Sequence, residues 1–325
     1  MTKAVRIHAF GGPEVLTYED VAVADPKAGE VLVRHTAIGL NFVDTYHRTN
    51  MLNENPPLPC VLGVQGAGVV EKTGPDVKGL KKGDRVTYTG LRGSYSEERV
   101  VPAARMIKTP DGVSDELAAA AFLRGLTCEY LVRRLHKIRK GETILVHAAA
   151  GGVGQMLVQW AKALGAVVIG TVGTDDKAKL VKKLGCDHPI VYTREDFAQK
   201  VRKLTHRAGV PVVYDLVGRA TFQGSIDSLR PRGLMVCVGN ASGPAPAVDP
   251  HMLSAKGSLY LTRTSLFTYT GSRADLVASA RALFDVVRKG VVKIRVNHRY
   301  PLAQAARAHR DLEARQTSGS IVLMP

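Results

Sequence analysis

Between Thr143 and Gly154 the chain reads Thr-Ile-Leu-Val-His-Ala-Ala-Ala-Gly-Gly-Val-Gly, an apolar β run that breaks into a glycine-rich turn. Ala149, Gly151 and Gly154 occupy the three slots of a G-x-G-x-x-G pattern, with Ala in place of the first Gly. Small residues there let the backbone approach a diphosphate, and the free amides and dipole of the next helix complement its charge. A helix-period run follows (Met156, Leu157, Trp160, Ala161, Leu164), then Gly165 as a helix stop and a second β run, Ala166 to Gly170. Strand, turn, helix and strand in this order predict a dinucleotide cradle around Gly151, Gly152 and Val153.

The end of the second β run bears on the choice of cofactor. An acidic residue about twenty positions after the glycines bonds the adenosine ribose hydroxyls in NAD-specific folds. Here the chain has Thr171-Val172-Gly173-Thr174 and no carboxylate before Asp175. A 2′-phosphate, which an acid would repel, fits a Gly-Thr turn that opens a helix carrying Lys177. NADPH is therefore favoured over NADH, although Lys177 also reads as one more solvated lysine beside Lys179, Lys182 and Lys183.

The elements that would position these groups fall into two halves. From Val5 to about Phe122 the pattern is short strands with turn signals, among them Glu30 to His35, Ala67 to Lys72 and Asp84 to Tyr88, and a folded-over barrel is expected. A helical period runs from Ala118 to Arg139. From Gly141 strands and helices alternate, with later strands at Pro189 to Tyr192, Val210 to Asp215, Gly233 to Val238 and Ser258 to Leu261. Such alternation predicts a doubly wound parallel sheet. After about Ser265 come an amphipathic helix (Leu276, Leu283, Phe284, Val287) and short strands that are expected to return to the first domain. The expected fold is α/β, a mainly β domain of 1–124 and 265–325 around an inserted Rossmann domain of 125–264.

Length and composition set outer bounds. At 325 residues, two domains are the natural expectation. No run of about eighteen apolar residues exists, so no membrane span is expected. The start enters a strand pattern without a signal-peptide core, and the tail matches no retention or prenylation signal; a cytosolic protein is expected. Cys60, Cys128, Cys186 and Cys237 are scattered without a C-x-x-C pair, which argues for buried reduced thiols and against a structural zinc lobe. The net charge of +16 is spread over many separate lysines and arginines, and aromatics make up 6% of the chain. RNA binding is compatible with that charge but not favoured, because no stacking platform interleaves with the basic residues.

Five segments together carry a family resemblance: Gly11-Gly12-Pro13-Glu14-Val15-Leu16, Ala37 to Tyr46, Gly125-Leu126-Thr127, His147 to Gly154 and Gly233-Leu234-Met235-Val236. With Gly319-Ser320-Ile321-Val322 near the end, the whole chain resembles the zinc-free quinone oxidoreductases, the zeta-crystallin type of the medium-chain dehydrogenase/reductase superfamily. The resemblance implies a GroES-like catalytic domain, a Rossmann domain, NADPH, a quinone substrate and a homodimer. It places Gly152 and Val153 at the pyrophosphate and Gly173, Thr174, Lys177 and Tyr192 around the 2′-phosphate. Thr127 and Tyr130 fall near the nicotinamide end, and Gly239, Asn240, Ser242, Arg263, Thr264 and Ser265 close over the cofactor. In the zinc alcohol dehydrogenases of the same superfamily a ligand Cys stands where this chain has Asn41, and a ligand His where it has Val64-Gln65. A hydride transfer without metal is the consequence.

Reducing a quinone requires little beyond placing its ring and bonding the oxygen where charge develops. Asn41, Phe42 and Tyr46 lie on the segment that resembles the family's catalytic edge. Asn41 would offer an amide N–H and Tyr46 a phenol, to orient the nicotinamide ribose or polarise the substrate oxygen. Reduction of an enone or enal C=C bond uses the same hydride geometry and is the alternative, with an NADPH- or RNA-binding role as the other. Two departures from the family bear on the acceptor pocket: His47-Arg48-Thr49-Asn50 replaces the usual Arg, Ser, Gly and aromatic after Tyr46, and Gln65 stands where Glu is frequent.

Overall fold

A computed structural model describes all residues, 1–325. The chain divides into two compact units: Met1–Leu126, Thr270–Arg288 and Ile294–Pro325 form the first, Thr127–Tyr269 and Lys289–Lys293 the second.

The first unit opens with β1 (Thr2–Ile7), β2 (Leu16–Val21), β3 (Glu30–Leu40), α1 (Phe42–Thr49), β4 (Cys60–Val61), β5 (Gln65–Thr73), β6 (Arg85–Thr89), β7 (Glu98–Pro102) and β8 (Ile107–Lys108); α2 (Asp115–Tyr130) begins in it and passes its boundary at Leu126. The second unit contains β9 (Thr143–Val146), α3 (Gly152–Ala163), β10 (Val167–Val172), α4 (Asp175–Lys183), β11 (His188–Val191), α5 (Phe197–Leu204), β12 (Val210–Asp215), α6 (Phe222–Ser228), β13 (Leu229–Cys237), α7 (Pro250–Ala255), β14 (Tyr260–Arg263) and α8 (Leu266–Tyr269). The chain then rejoins the first unit with α9 (Arg273–Arg288), β15 (Val296–Pro301), α10 (Ala305–Glu313) and β16 (Ser320–Met324).

In the first unit β2, β1 and β4 make a small sheet, and β15, β16, β3, β5, β6 and β8 follow one another in a larger one to which β7 adds on β3. The return of the tail is concrete: β16 lies antiparallel to β3, with Val322 opposite Gly39. Val5, Ile7, Ile38, Leu40, Leu62, Leu302, Ile321 and Leu323 pack into one buried cluster that seals this pairing. Each such side chain contributes about 1.5–3 kcal/mol by leaving water, so a tail distant in sequence becomes integral to the unit. Helix α1, an element the strand pattern did not announce, interrupts the β run. Its stop is local, since Asn50 adopts the left-handed conformation at φ 54° and caps the last turn.

In the second unit the strand order is β11-β10-β9-β12-β13-β14, all parallel, the doubly wound arrangement whose order reverses between β9 and β12. The β9–α3–β10 unit follows the sequence pattern, with Met156, Leu157, Trp160 and Ala161 buried on α3 and Gly165 at φ 88° ending it. Several expected boundaries move, among them the strand expected over Gly233 to Val238, which runs Leu229–Cys237. β11 ends at Val191, so Tyr192 lies just past the strand, and the last strand starts at Tyr260 because Ser258 turns at φ 56°. The helix expected to Arg139 ends at Tyr130 and widens into a π-helical turn over Leu131–Leu135.

Candidate functional site

The second unit builds an anion cradle at the switch point. Ala148 takes the left-handed conformation at φ 48°, and its carbonyl accepts the Gly151 N–H at 2.8 Å. That carbonyl lies so close to Gly154 that a Cβ there would collide with it and with Ala149. Gly151 caps α3 without a side chain to satisfy the first-turn amides, which leaves them for a ligand. The residues thus fit a diphosphate at Gly151, Gly152 and Val153. Below the loop, His147 Nδ1 meets Thr171 Oγ1 at 2.8 Å and its Nε2 meets Ser225 Oγ at 3.0 Å, and Ser225 donates to Asp215 Oδ2 at 2.9 Å. Burial lowers the His147 pKa, so a neutral imidazole ties the ends of β9, β10 and β12 together.

Beside the cradle, four of the predicted residues converge. A Cβ on Gly173 would sit 3.1 Å from the Tyr192 hydroxyl, and Thr174 caps α4 by accepting the Lys177 N–H at 3.3 Å. The nearest carboxylate, Asp175, is clasped by Arg194 through two bonds of 2.6 and 2.7 Å, and the guanidinium holds it below its usual pKa. Arg194 is a residue the sequence pattern missed. It cancels the charge of the acid next to the Gly-Thr turn, so the donor set fits NADPH.

Further along, Tyr130 donates to Thr264 Oγ1 at 2.9 Å and stacks on Tyr269 with centroids 4.2 Å apart. The Asn240 amide, oriented to satisfy both ends, donates to Gly239 O at 3.0 Å and accepts from Arg263 at 3.3 Å. Ser242 holds two loops together, because its hydroxyl accepts from Ala220 N at 2.9 Å and donates to Val217 O at 3.0 Å. Thr127 is buried at the start of this unit, and Ser265 opens α8, accepting the Thr268 N–H at 3.2 Å.

In the first unit Asn41, Phe42 and Tyr46 lie on and just before α1. The two N–H groups of Asn41 are directed at Gln65 Oε1 (2.9 Å) and Gly39 O (3.2 Å), and its Oδ1 accepts from Arg124 Nε at 3.1 Å. An amide donor offered to a substrate oxygen is therefore not available in this arrangement; what Asn41 retains is the second lone pair of Oδ1, which suits a ribose hydroxyl. Gln65 in turn donates to Ala119 O. Arg124 also donates to Leu40 O (2.7 Å) and Gly319 O (3.3 Å), and burial lowers it to about 10, so it stays cationic at neutral pH. Arg124 was not foreseen, because nothing in its helical sequence marks which arginine turns inward.

Beneath this layer Asp44 accepts the Asn41 backbone N–H at 2.8 Å and the Tyr95 hydroxyl at 3.1 Å. Burial raises its pKa to about 7, against those bonds and the Arg124 charge. Tyr46 is buried on the same helix. Nowhere do three or more His, Cys, Asp or Glu side chains gather in a group that could hold a metal ion. Of the cysteines, Cys128, Cys186 and Cys237 are buried, whereas Cys60, expected to be so, is half-buried at a two-residue strand.

Comparison with known proteins matches the alcohol dehydrogenase GroES-like domain over residues 27–111 and the zinc-binding dehydrogenase family over 152–283. A quinone oxidoreductase of Pseudomonas aeruginosa is 49% identical across 100% of both chains. A 2-haloacrylate reductase of a Burkholderia species is 44% identical across 100% of this chain and 99% of its own. The crystal structure of Escherichia coli quinone oxidoreductase complexed with NADPH superposes with a TM-score of 0.97 at 45% identity, covering 99% of this chain and 100% of that one.

Proposed function

This chain belongs to the quinone oxidoreductase family of the medium-chain dehydrogenases and reductases, and from that membership we propose that it reduces a quinone with NADPH, without a metal ion. The observation that carries the metal-free reading is the amide pair Asn41–Gln65. Asn41, at the position that would supply the Cys ligand, is bound to Gln65 at 2.9 Å instead, and Val64, at the position of the His ligand, carries no ligating atom.

When bound, NADPH supplies the hydride. The chain's own residues bind and orient. The amides of Gly152 and Val153 take the diphosphate beside Gly151, and Thr174, Lys177, Tyr192 and Arg194 take the 2′-phosphate. Arg124 and Gln65 set the Asn41 amide, whose free lone pair receives a ribose hydroxyl. The Tyr46 hydroxyl bonds the acceptor oxygen as charge develops there. The Arg124 guanidinium adds positive potential to this edge.

A second reading is reduction of an alkene conjugated to a carbonyl or carboxylate, and the 44% identity to a 2-haloacrylate reductase favours it. NADPH oxidation with a small para-quinone, run beside NADH and a 2-alkenal, separates the two. Rapid NADPH turnover on the quinone is expected; turnover on the alkenal alone would overturn the first reading. A homodimer is supported by β14, an edge strand whose Tyr260 is 62% exposed, with Phe267 of α8 at 47%. Sedimentation of the wild type against Tyr260→Asp, which puts a charge on that edge, tests it. No helix is long and apolar enough to cross a membrane, which is compatible with the cytosol as compartment.

A further inference from the structure

Where this chain departs from its family after Tyr46, it builds an ionic cluster. His47 on α1, Glu54 in the following loop and Arg92 in the turn between β6 and β7 come together: Arg92 Nη2 donates to Glu54 Oε2, and His47 Nε2 lies 3.7 Å from the same oxygen. The His47 side chain is 9% exposed and Arg92 24%. Two of their polar atoms, His47 Nδ1 and Arg92 Nε, are buried with no hydrogen-bond partner. Unpartnered buried polar atoms are destabilising, and a functional site is a common reason for keeping them.

The cluster lies on the same edge of the first unit as the candidate polar groups. His47 follows Tyr46 directly. The turn carrying Arg92 is stitched to the segment before Gln65 by Gly90 N to Val64 O (2.8 Å) and Gly93 N to Gly63 O (2.8 Å). Ser94 Oγ accepts the Gln65 N–H at 3.1 Å, and Gln65 holds Asn41. The loop bearing Glu54 is pinned to the end of α1, where Asn50 Nδ2 donates to Asn55 Oδ1 at 2.6 Å and Asn50 Oδ1 accepts the Asn55 N–H at 3.1 Å. Glu54 itself is 45% exposed, so it is the member of the cluster free to leave.

The geometry points to an anion subsite formed by Arg92 and His47, in which Glu54 holds Arg92 until an acceptor's own carboxylate displaces it. This inference rests on the reductase reading for its consequence: acceptors carrying a carboxylate are reduced in preference to neutral acceptors of the same skeleton. A guanidinium suits the role, since its planar fork pairs a carboxylate through two N–H groups and Nε is one of them. Burial and the Arg92 charge lower the His47 pKa to about 4. The ring is therefore neutral at pH 7 and acts as a single N–H donor beside the cation.

The test uses benzoate and benzamide as probes in calorimetric titrations of the full-length protein saturated with NADP⁺. Benzoate is expected to bind, and benzamide at least tenfold more weakly. Arg92→Gln should weaken benzoate by roughly tenfold to a hundredfold, and Arg92→Lys should restore part of it. Glu54→Gln distinguishes this from a structural ion pair, because it frees Arg92 and should tighten benzoate several-fold. Equal binding of the two probes, no effect of Arg92→Gln in a protein that remains folded by circular dichroism, or weaker benzoate in Glu54→Gln would each overturn the subsite. In parallel, kcat/KM for a carboxy-substituted para-quinone over its carboxamide should fall at least tenfold in Arg92→Gln. If neither quinone is turned over while benzoate still requires Arg92, the quinone reading fails and the anion subsite stands.

Discussion

Arg48 Nη1 lies 2.9 Å from Nδ1 of His309, and because a guanidinium only donates, the imidazole proton must sit on Nε2. That nitrogen then donates to the Tyr95 hydroxyl at 3.0 Å, and Tyr95 donates to Asp44 Oδ2 at 3.1 Å. One contact thus sets the direction of every bond up to the N-terminus of α1. Arg48 is itself held by Glu313 at 2.7 and 3.0 Å and by Gly11 O at 3.0 Å, so α10 supports the helix that carries Tyr46.

Replacing His309 by Leu removes the acceptor of Arg48 and the donor to Tyr95 together. The expected loss is about 2–4 kcal/mol of stability, read as a lower urea midpoint with an unchanged slope. A midpoint within experimental error of the wild type would mean that the chain of bonds is dispensable.

The same groups give the protein a pH dependence with a definite sign. His35, His47 and His309 are pushed down to about 4, about 4 and about 3, chiefly by burial. Their folded pKa values lie below the unfolded value near 6.5. The stability they contribute is present above that value and lost as the pH falls toward 4 and 3. Asp44, raised to about 7, runs the other way: its contribution is full below the unfolded value of about 4 and is lost as pH rises toward 7. Three imidazoles outweigh one carboxyl, so the melting temperature should fall between pH 6.5 and 4.5, and more steeply in Asp44→Asn. A flat profile would contradict the buried neutral histidines.

At the adenosine edge, Arg194→Ala uncovers the charge of Asp175 and removes a cation, while Lys177→Ala removes a cation alone. Each is expected to raise KM for NADPH by roughly tenfold to a hundredfold, on the scale of a lost charge-assisted bond, with KM for NADH nearly unchanged. Equal effects on both cofactors would place the 2′-phosphate elsewhere.

In the glycine loop, Gly154→Ala drives a methyl group into the Ala148 carbonyl. NADPH binding by fluorescence titration should weaken by at least tenfold, with stability falling by about 1–3 kcal/mol. Ala148→Gly does the opposite locally, since φ 48° costs a side chain about 1 kcal/mol. The melting temperature should hold or rise slightly in that variant.

Gln65→Leu leaves the Asn41 amide and Ala119 O without their partner. If Gln65 acts by positioning Asn41, kcat should drop about tenfold while the dissociation constant of NADPH moves less. Loss of cofactor binding alone would assign Gln65 to the fold rather than to the reaction.

What the sequence determined by itself is what short-range chemistry encodes. The cradle from Ala149 to Gly154, the alternation that makes β9 to β13, and Thr174 at the start of α4 follow from local periodicity and from backbone conformations that few residues tolerate. The tertiary structure decided the pairings that periodicity cannot see. Asn41 meets Gln65 and Arg124, 24 and 83 positions away, and loses its free donor to them. Asp175 meets Arg194, and Asp44 reaches His309 through Tyr95. An amide, a guanidinium or a carboxyl has the same composition whether it faces water or a neighbour. Only packing, which removes the water and brings distant strands together, determines which partner satisfies it and which lone pair is left for a ligand.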